Sequence, residues 1–215
     1  MAYQLIIFDM DGTILNTLED LHNSLNHALE LSHFPEKNLS QVKSYVGNGI
    51  QKLIERAVPE QANETQILQV FQDFMTHYEL HCTDSTRPYE GVPELIKTLR
   101  KRGYKTAVVS NKADKAVQEL CLNFFPGLFD CAVGERQGQA KKPDPYLVNL
   151  VLKELKIKAA DTLYIGDSEV DIATALNAGL DSLLVDWGFR DADFLRSQGA
   201  CCIVSSCEEI LKKLP

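Results

Sequence analysis

Leu5-Ile6-Ile7-Phe8-Asp9-Met10-Asp11-Gly12-Thr13 is the stretch whose reading decides the fold. A short apolar run with β-branched members reads as a strand buried on both faces, and the two aspartates stand where it ends. In an open α/β sheet, ligands bind beyond the carboxyl ends of the strands. Two positions apart in extended chain, Asp9 and Asp11 project to the same side, and the crowding of negative charge favours a divalent cation as third party. A carboxylate beside such a cation can also act as a nucleophile.

Two plainer readings compete. Asp-x-Asp-Gly is a common turn, because Asp and Gly supply local hydrogen bonding and positive φ. A calcium loop is excluded, since its sixth position requires Gly where this chain has Ile14, and a helix rather than a strand should precede it. The choice between turn and site rests on partners elsewhere in the chain.

The 215 residues are 45% hydrophobic, enough to bury a full core in one large or two small domains. No run approaches the roughly 20 apolar residues that span a bilayer, and the start lacks a basic segment with a cleavage site. A cytoplasmic protein without membrane contact is expected. The net charge of -8 is spread out and basic residues come only in pairs such as Lys101-Arg102, Lys141-Lys142 and Lys212-Lys213, so no nucleic-acid track is present. An anionic ligand must then be drawn by a local cation cluster. Cys82, Cys121, Cys131, Cys201, Cys202 and Cys207 lack zinc-ribbon or Cys-x-x-Cys spacing and read as reduced thiols. His77, His81 and Cys82 could share a helix face as a metal site, although a solvated helix end explains them more simply.

After the first strand, residues 17–84 read as helical. Leu18, Leu21, Leu25, Ala28 and Leu29 form one stripe behind Thr17, which with Asp20 resembles a capping box. Ile50, Leu53, Ile54, Ala57 and Val58 form a second. Ile67, Leu68, Phe71, Phe74, Met75 and Tyr78 form a third, with Pro35, Gly47, Gly49 and Pro59 between them. From Arg87 onward strands alternate with helices, the mark of a parallel sheet. Expected strands are 105–109, 131–133, 162–165 and 182–185. The first strand belongs with this part, so residues 1–15 and 85–215 form a discontinuous α/β domain with a helical domain, 16–84, spliced in. Two crossings of the chain make a hinge that can close over a ligand and exclude water.

The later strands end in residues suited to phosphate chemistry. Ser110-Asn111 offers a hydroxyl and an amide, although the pair also suits a helix cap. In Lys141-Lys142-Pro143-Asp144-Pro145, Pro143 at a helix start holds Lys142 extended, so its ammonium can face the site. Gly166-Asp167-Ser168-Glu169-Val170-Asp171 permits close backbone approach and places Asp171 one helical turn beyond Asp167. Acidic residues also favour helix starts, but strand-end Asp after two strands with Ser and Lys after two others make a joint site.

These motifs, Asp9-Met10-Asp11-Gly12-Thr13, Ser110, Lys142 and Gly166 to Asp171, resemble those of the haloacid dehalogenase superfamily in order and spacing, across the whole chain. The resemblance implies a doubly wound parallel sheet of strand order 3-2-1-4-5 with an inserted helical cap. It also implies that Asp9 forms an aspartyl-phosphate and that Asp11 is the acid and base. Mg²⁺ would be held by Asp9, the backbone carbonyl of Asp11 and Asp167, with Asp171 orienting metal water or Lys142. Ser110 and Lys142 would stabilise transition-state charge, assisted by Asn111 and Thr13. Superfamily dehalogenases lack the acid-base aspartate, so Asp11 points to phosphoryl transfer.

Tyr45 to Arg56 resembles the corresponding stretch of phosphoglycolate phosphatases, as does Trp187-Gly188-Phe189-Arg190. Gly47-Asn48-Gly49 leading into a helix suits a small carboxylate, or equally an ordinary turn between helices. Lys43, Lys52 and Arg56 are candidates to complete an anion pocket. The expected ligand is a small anionic phosphorylated metabolite, 2-phosphoglycolate first, bound by a monomer or homodimer. Phosphatases acting on pyrophosphate, sugar phosphates or nucleotides share the core motifs, as does a β-phosphoglucomutase. A receiver-type signalling domain is disfavoured by chain length and by an acceptor on the first strand, and a non-catalytic relative by the intact core motifs.

Overall fold

The computed structural model describes residues 3–214. Two compact units emerge, Met1–Leu15 with Pro88–Pro215, and Asn16–Arg87. The strands are β1 (Leu5–Phe8), β2 (Leu15–Asn16), β3 (Arg87–Pro88), β4 (Lys105–Ala113), β5 (Cys131–Glu135), β6 (Thr162–Gly166), β7 (Asp181–Val185) and β8 (Ile203–Val204). The helices of the second unit are α1 (Leu18–Leu31), α2 (Leu39–Tyr45), α3 (Ile50–Ala57) and α4 (Glu64–His81). Those of the first are α5 (Val92–Lys101), α6 (Asp114–Phe124), α7 (Tyr146–Leu155), α8 (Glu169–Ala178), α9 (Ala192–Ser197) and α10 (Cys207–Lys213).

Six strands form one parallel sheet in the order β5-β4-β1-β6-β7-β8, which is the expected order extended by the short edge strand β8. Alternation along β1 divides the core. Ile6 and Phe8 join Leu95, Ile96 and Leu99 of α5, Val117 and Leu120 of α6 and Ile210 of α10 on one face. Leu5 and Ile7 pack on the other face with Leu147, Val148 and Val151 of α7 and Ala175 of α8. Helices thus cover both faces, as a sheet of fully buried strands requires. Phe8 is level with Val108 of β4 and Ile165 of β6, so Asp9 leaves the sheet at its centre beside the end of β6, while β4 runs on past the expected residue 109 to Ala113.

In the helical unit, α2 and α4 begin with reciprocal capping boxes, Asn38 with Gln41 and Asn63 with Gln66. The expected box at Thr17 does not form. Thr17 makes no side-chain cap, and the Asp20 carboxylate instead accepts the backbone N–H groups of Ser85 and Thr86, each at 2.8 Å. Those contacts tie 85–87 to this unit, which therefore runs to Arg87 rather than to residue 84. The stripe of α4 also differs from the sequence reading. Val70, Phe74 and Tyr78, spaced by four, are buried, and Leu68 is exposed. Among the described residues, no helix is long and apolar enough to cross a membrane.

Candidate active site

Asp9 follows β1 directly, and its N–H donates to Ile165 O at 2.9 Å, locking it to the end of β6. Its Oδ1 accepts Met10 N–H at 2.7 Å and lies 2.8 Å from Lys142 Nζ. The same ammonium is 2.8 Å from Asp171 Oδ1 and 3.2 Å from the Tyr164 hydroxyl. Lys142 and Asp171 are both fully buried. Asp171 has no idle oxygen: Tyr164 OH donates to Oδ1 at 3.1 Å, and Oδ2 accepts from Asp167 N, Ser168 N and Ser168 Oγ.

Asp167 is oriented from two sides, by Thr13 Oγ1 on Oδ1 at 3.0 Å and by Phe189 N–H on Oδ2 at 2.7 Å. Gly12, at φ +86°, lies so close that a methyl group there would overlap this carboxylate. Asn111 does not face open space either. Its amide accepts from Lys142 N at 2.8 Å and donates to Lys142 O at 3.0 Å, clamping the lysine backbone where a cis peptide precedes Pro143. α7 starts only at Tyr146, whose N–H is held by Asp144 Oδ1, so Pro143 precedes the helix instead of opening it. Ser110 is buried at the end of the apolar part of β4, with Oγ accepting Lys112 N–H at 3.2 Å.

Two participants escaped the sequence reading. Lys112 lies buried on β4 with Nζ 2.9 Å from Asp11 Oδ1. Tyr164, on β6, sits beneath the Lys142–Asp171 pair. Neither carries a motif, since a Tyr within a strand reads as core and a lone Lys as surface; only the spacing of Lys112 two residues after Ser110 offers a signal.

Oxygens of Asp9, Asp167 and Asp171 lie within 4.8 Å of one another. Burial first, and then the charge of Asp171, push Asp9 up to about 7, with Lys142 pulling the other way. Burial, Asp171 and Asp9 likewise raise Asp167 well above the usual carboxylate range. Burial works against the Lys142 ammonium, but Asp171 and Asp9 outweigh it and hold its pKa well above the usual lysine value. One lysine does not offset the group. All-oxygen donors with excess negative charge fit a hard divalent cation, and because Asp171 is already saturated, Asp9 and Asp167 are the carboxylates left to hold it.

In the helical unit, Gly47 and Gly49 take φ values of 123° and 85°, with Gly49 capping α3. Arg56 braces their loop, donating at 2.6 Å to both Tyr45 O and Asn48 Oδ1. Lys52 pairs with Glu55 on the exposed side of α3.

Residues 6–185 match the family of haloacid dehalogenase-like hydrolases. The phosphoglycolate phosphatase of Mesorhizobium japonicum is 33% identical over 197 residues, covering 89% of this chain and 86% of the relative. That of Vibrio parahaemolyticus is 30% identical over 219 residues, covering 97% and 95%. A solved structure from Lactobacillus delbrueckii subsp. bulgaricus, provisionally assigned as a phosphoglycolate phosphatase, has 37% identity and a TM-score of 0.95, covering 100% of this chain and 99% of that one. The motifs around Asp9, the strand order and these relatives agree: the chain belongs to the haloacid dehalogenase-like hydrolases and is a phosphatase.

Proposed function

We propose that the protein hydrolyses a small phosphate monoester through an aspartyl-phosphate, with 2-phosphoglycolate as substrate and Mg²⁺ as cofactor. The observation that carries this reading is the Lys142 ammonium 2.8 Å from Asp9 Oδ1, at a strand end shared with Asp167. Asp9 attacks phosphorus as the ester P–O bond breaks, and the Asp11 carboxyl gives its proton to the departing alkoxide. Asp11 then takes a proton from water as that water displaces the phosphoryl group from Asp9, releasing phosphate and restoring both carboxyls. Lys142 and Ser110 meet the charge on the phosphoryl oxygens. Thr13 and Asn111 serve the same step indirectly, by orienting Asp167 and the Lys142 backbone.

Asp9, Asp167 and the backbone carbonyl of Asp11 would hold the Mg²⁺, which supplies positive charge to the phosphate and the attacking carboxylate when bound. Asp171 keeps Lys142 in place. The helical unit is proposed as the cap, and the Gly47-Asn48-Gly49 loop with the N-terminus of α3 as its carboxylate-recognising element. The curated relatives' common name supports the choice of substrate and hydrolysis, and Asp11 supports phosphoryl transfer.

A phosphate-release panel tests this, with 2-phosphoglycolate, pyrophosphate, β-glucose 1-phosphate and nucleoside monophosphates, with and without Mg²⁺. Mg²⁺-dependent turnover is expected to be highest on 2-phosphoglycolate. A preference for pyrophosphate or a nucleotide overturns the substrate assignment and leaves the core chemistry standing. Unchanged turnover in Asp9→Asn overturns the covalent route.

A further inference from the structure

Residues 187–190 leave the end of β7 and reach back past the end of β6 to the segment behind β1. The Trp187 indole Nε1 donates to Thr13 O at 3.1 Å. Two residues on, Phe189 N–H donates to Asp167 Oδ2, whose other oxygen takes the Thr13 hydroxyl. These three hydrogen bonds close a circuit that runs from Trp187 to Thr13 to Asp167 and back to Phe189. Gly188 lies between the two donors, so close that a methyl group there would overlap both Gly12 O and the Asp167 carboxylate.

Arg190 fastens the far end of the circuit. Its Nε and Nη2 meet the two carboxylate oxygens of Glu169 at 3.0 and 3.3 Å, and its guanidinium carbon lies 5.5 Å from the centre of the Phe194 ring. Two-point pairing fixes direction as well as distance. With the Arg190 side chain 11% exposed, the pair is shielded from the water that weakens surface ion pairs. A backbone N–H has no side chain of its own to aim it. It points where its neighbours hold the chain, here Trp187 on one side and Arg190 on the other.

We propose that Trp187 and Arg190 are positioning residues for the metal: they hold the Phe189 N–H on Asp167 and so fix that carboxylate in the orientation that receives the ion. The proposal rests on the reading of Asp167 as a Mg²⁺ ligand. Thr13 and Phe189 take one lone pair on each Asp167 oxygen and leave the others for a cation. A carboxylate already oriented loses little freedom on binding, and partners of this outer kind are typically worth about 10–100-fold in metal affinity. In the sequence, 187–190 stands out only by its likeness to phosphoglycolate phosphatases. Its contacts give it a task at the metal carboxylate instead of at the substrate.

Mg²⁺ is titrated into the metal-free full chain without substrate, following heat and the emission of Trp187, the one tryptophan of the chain. In wild type both signals should report one affinity. Arg190→Met, and Trp187→Phe read by heat alone, should each weaken Mg²⁺ binding about 10-fold. The sign is decisive for Arg190, because removing a cation beside a metal site tightens cation binding by charge alone. Arg190→Lys, which can meet Glu169 at one point, should recover part of the loss. Circular dichroism checks folding, and Trp187→Phe, which keeps a ring against Tyr89, carries the test should the arginine variant unfold. Wild-type affinity in Trp187→Phe, or wild-type or tighter binding in Arg190→Met, overturns the positioning role. Asp167→Asn separates the two levels: its loss of binding beside unaffected Trp187 and Arg190 variants overturns the positioning role alone, whereas wild-type affinity in Asp167→Asn overturns the metal reading as well.

Discussion

Lys142 and Asp171 form a fully buried ion pair, Nζ to Oδ1 at 2.8 Å, and the same ammonium stands 2.8 Å from Asp9. Deleting the cation strands two buried carboxylates, and breaking a buried pair from one side costs about 3–5 kcal/mol. Lys142→Met is therefore expected to lower stability by about 3 kcal/mol in urea unfolding without metal, as well as to remove turnover. Loss of turnover at unchanged stability would show that the lysine does not hold the carboxylates in place.

Lys112 reaches Asp11 Oδ1 at 2.9 Å from inside β4, which fixes the direction of the proposed acid-base carboxyl. Lys112→Met frees that carboxyl to rotate. A fall in kcat of about 10-fold with little change in KM is expected, since misplacing a general acid loses part of its ~10²–10⁴-fold contribution. Lys112→Arg should recover part of the loss. A rise in KM at constant kcat would instead place Lys112 among substrate-binding groups.

The sequence made legible those features that depend on local pattern. The β1 run, the strand-end aspartates and the glycine and proline punctuation each have a short-range cause, and Pro143 directs attention to Lys142, whereas the order of the sheet was implied only by the family resemblance that the motifs carry. Side chains that act across the fold were hidden. Asp20 reads as half of a capping box, yet its partners are the N–H groups of Ser85 and Thr86. Asn111 reads as a phosphate donor because nothing local shows that the Lys142 backbone will need its amide. β8 was missed because two residues are too few for alternation to register.

Tyr164 illustrates the same limit and gives a sharper test. Its hydroxyl contacts Lys142 Nζ and Asp171 Oδ1, so Tyr164→Phe removes one prop from each while leaving their ion pair and the ring packing intact. A stability loss of about 1 kcal/mol is expected by chemical denaturation, the usual net worth of a hydrogen bond. Turnover should fall several-fold with it. A neutral change in both would mean that Lys142 is fully oriented by Asp9, Asp171 and Asn111.

The carboxylate group also predicts an unusual pH response. Asp9, pushed up to about 7 by burial and Asp171, binds its proton more tightly folded than unfolded. The protonated form therefore stabilises the metal-free protein fully below the ordinary value of 3.8, and this stabilisation is lost as pH rises through about 7. Asp167 moves in the same direction. Metal-free wild type should thus lose stability between about pH 5.5 and pH 8 relative to Asp9→Asn, which has no proton to release at that position. Because Mg²⁺ competes with those protons, it should raise the melting temperature of wild type more at the higher pH than at the lower. Melting curves of both proteins, with and without Mg²⁺, check this. Parallel pH dependence in wild type and variant, or a Mg²⁺ effect that grows as pH falls, would contradict a raised carboxyl at Asp9.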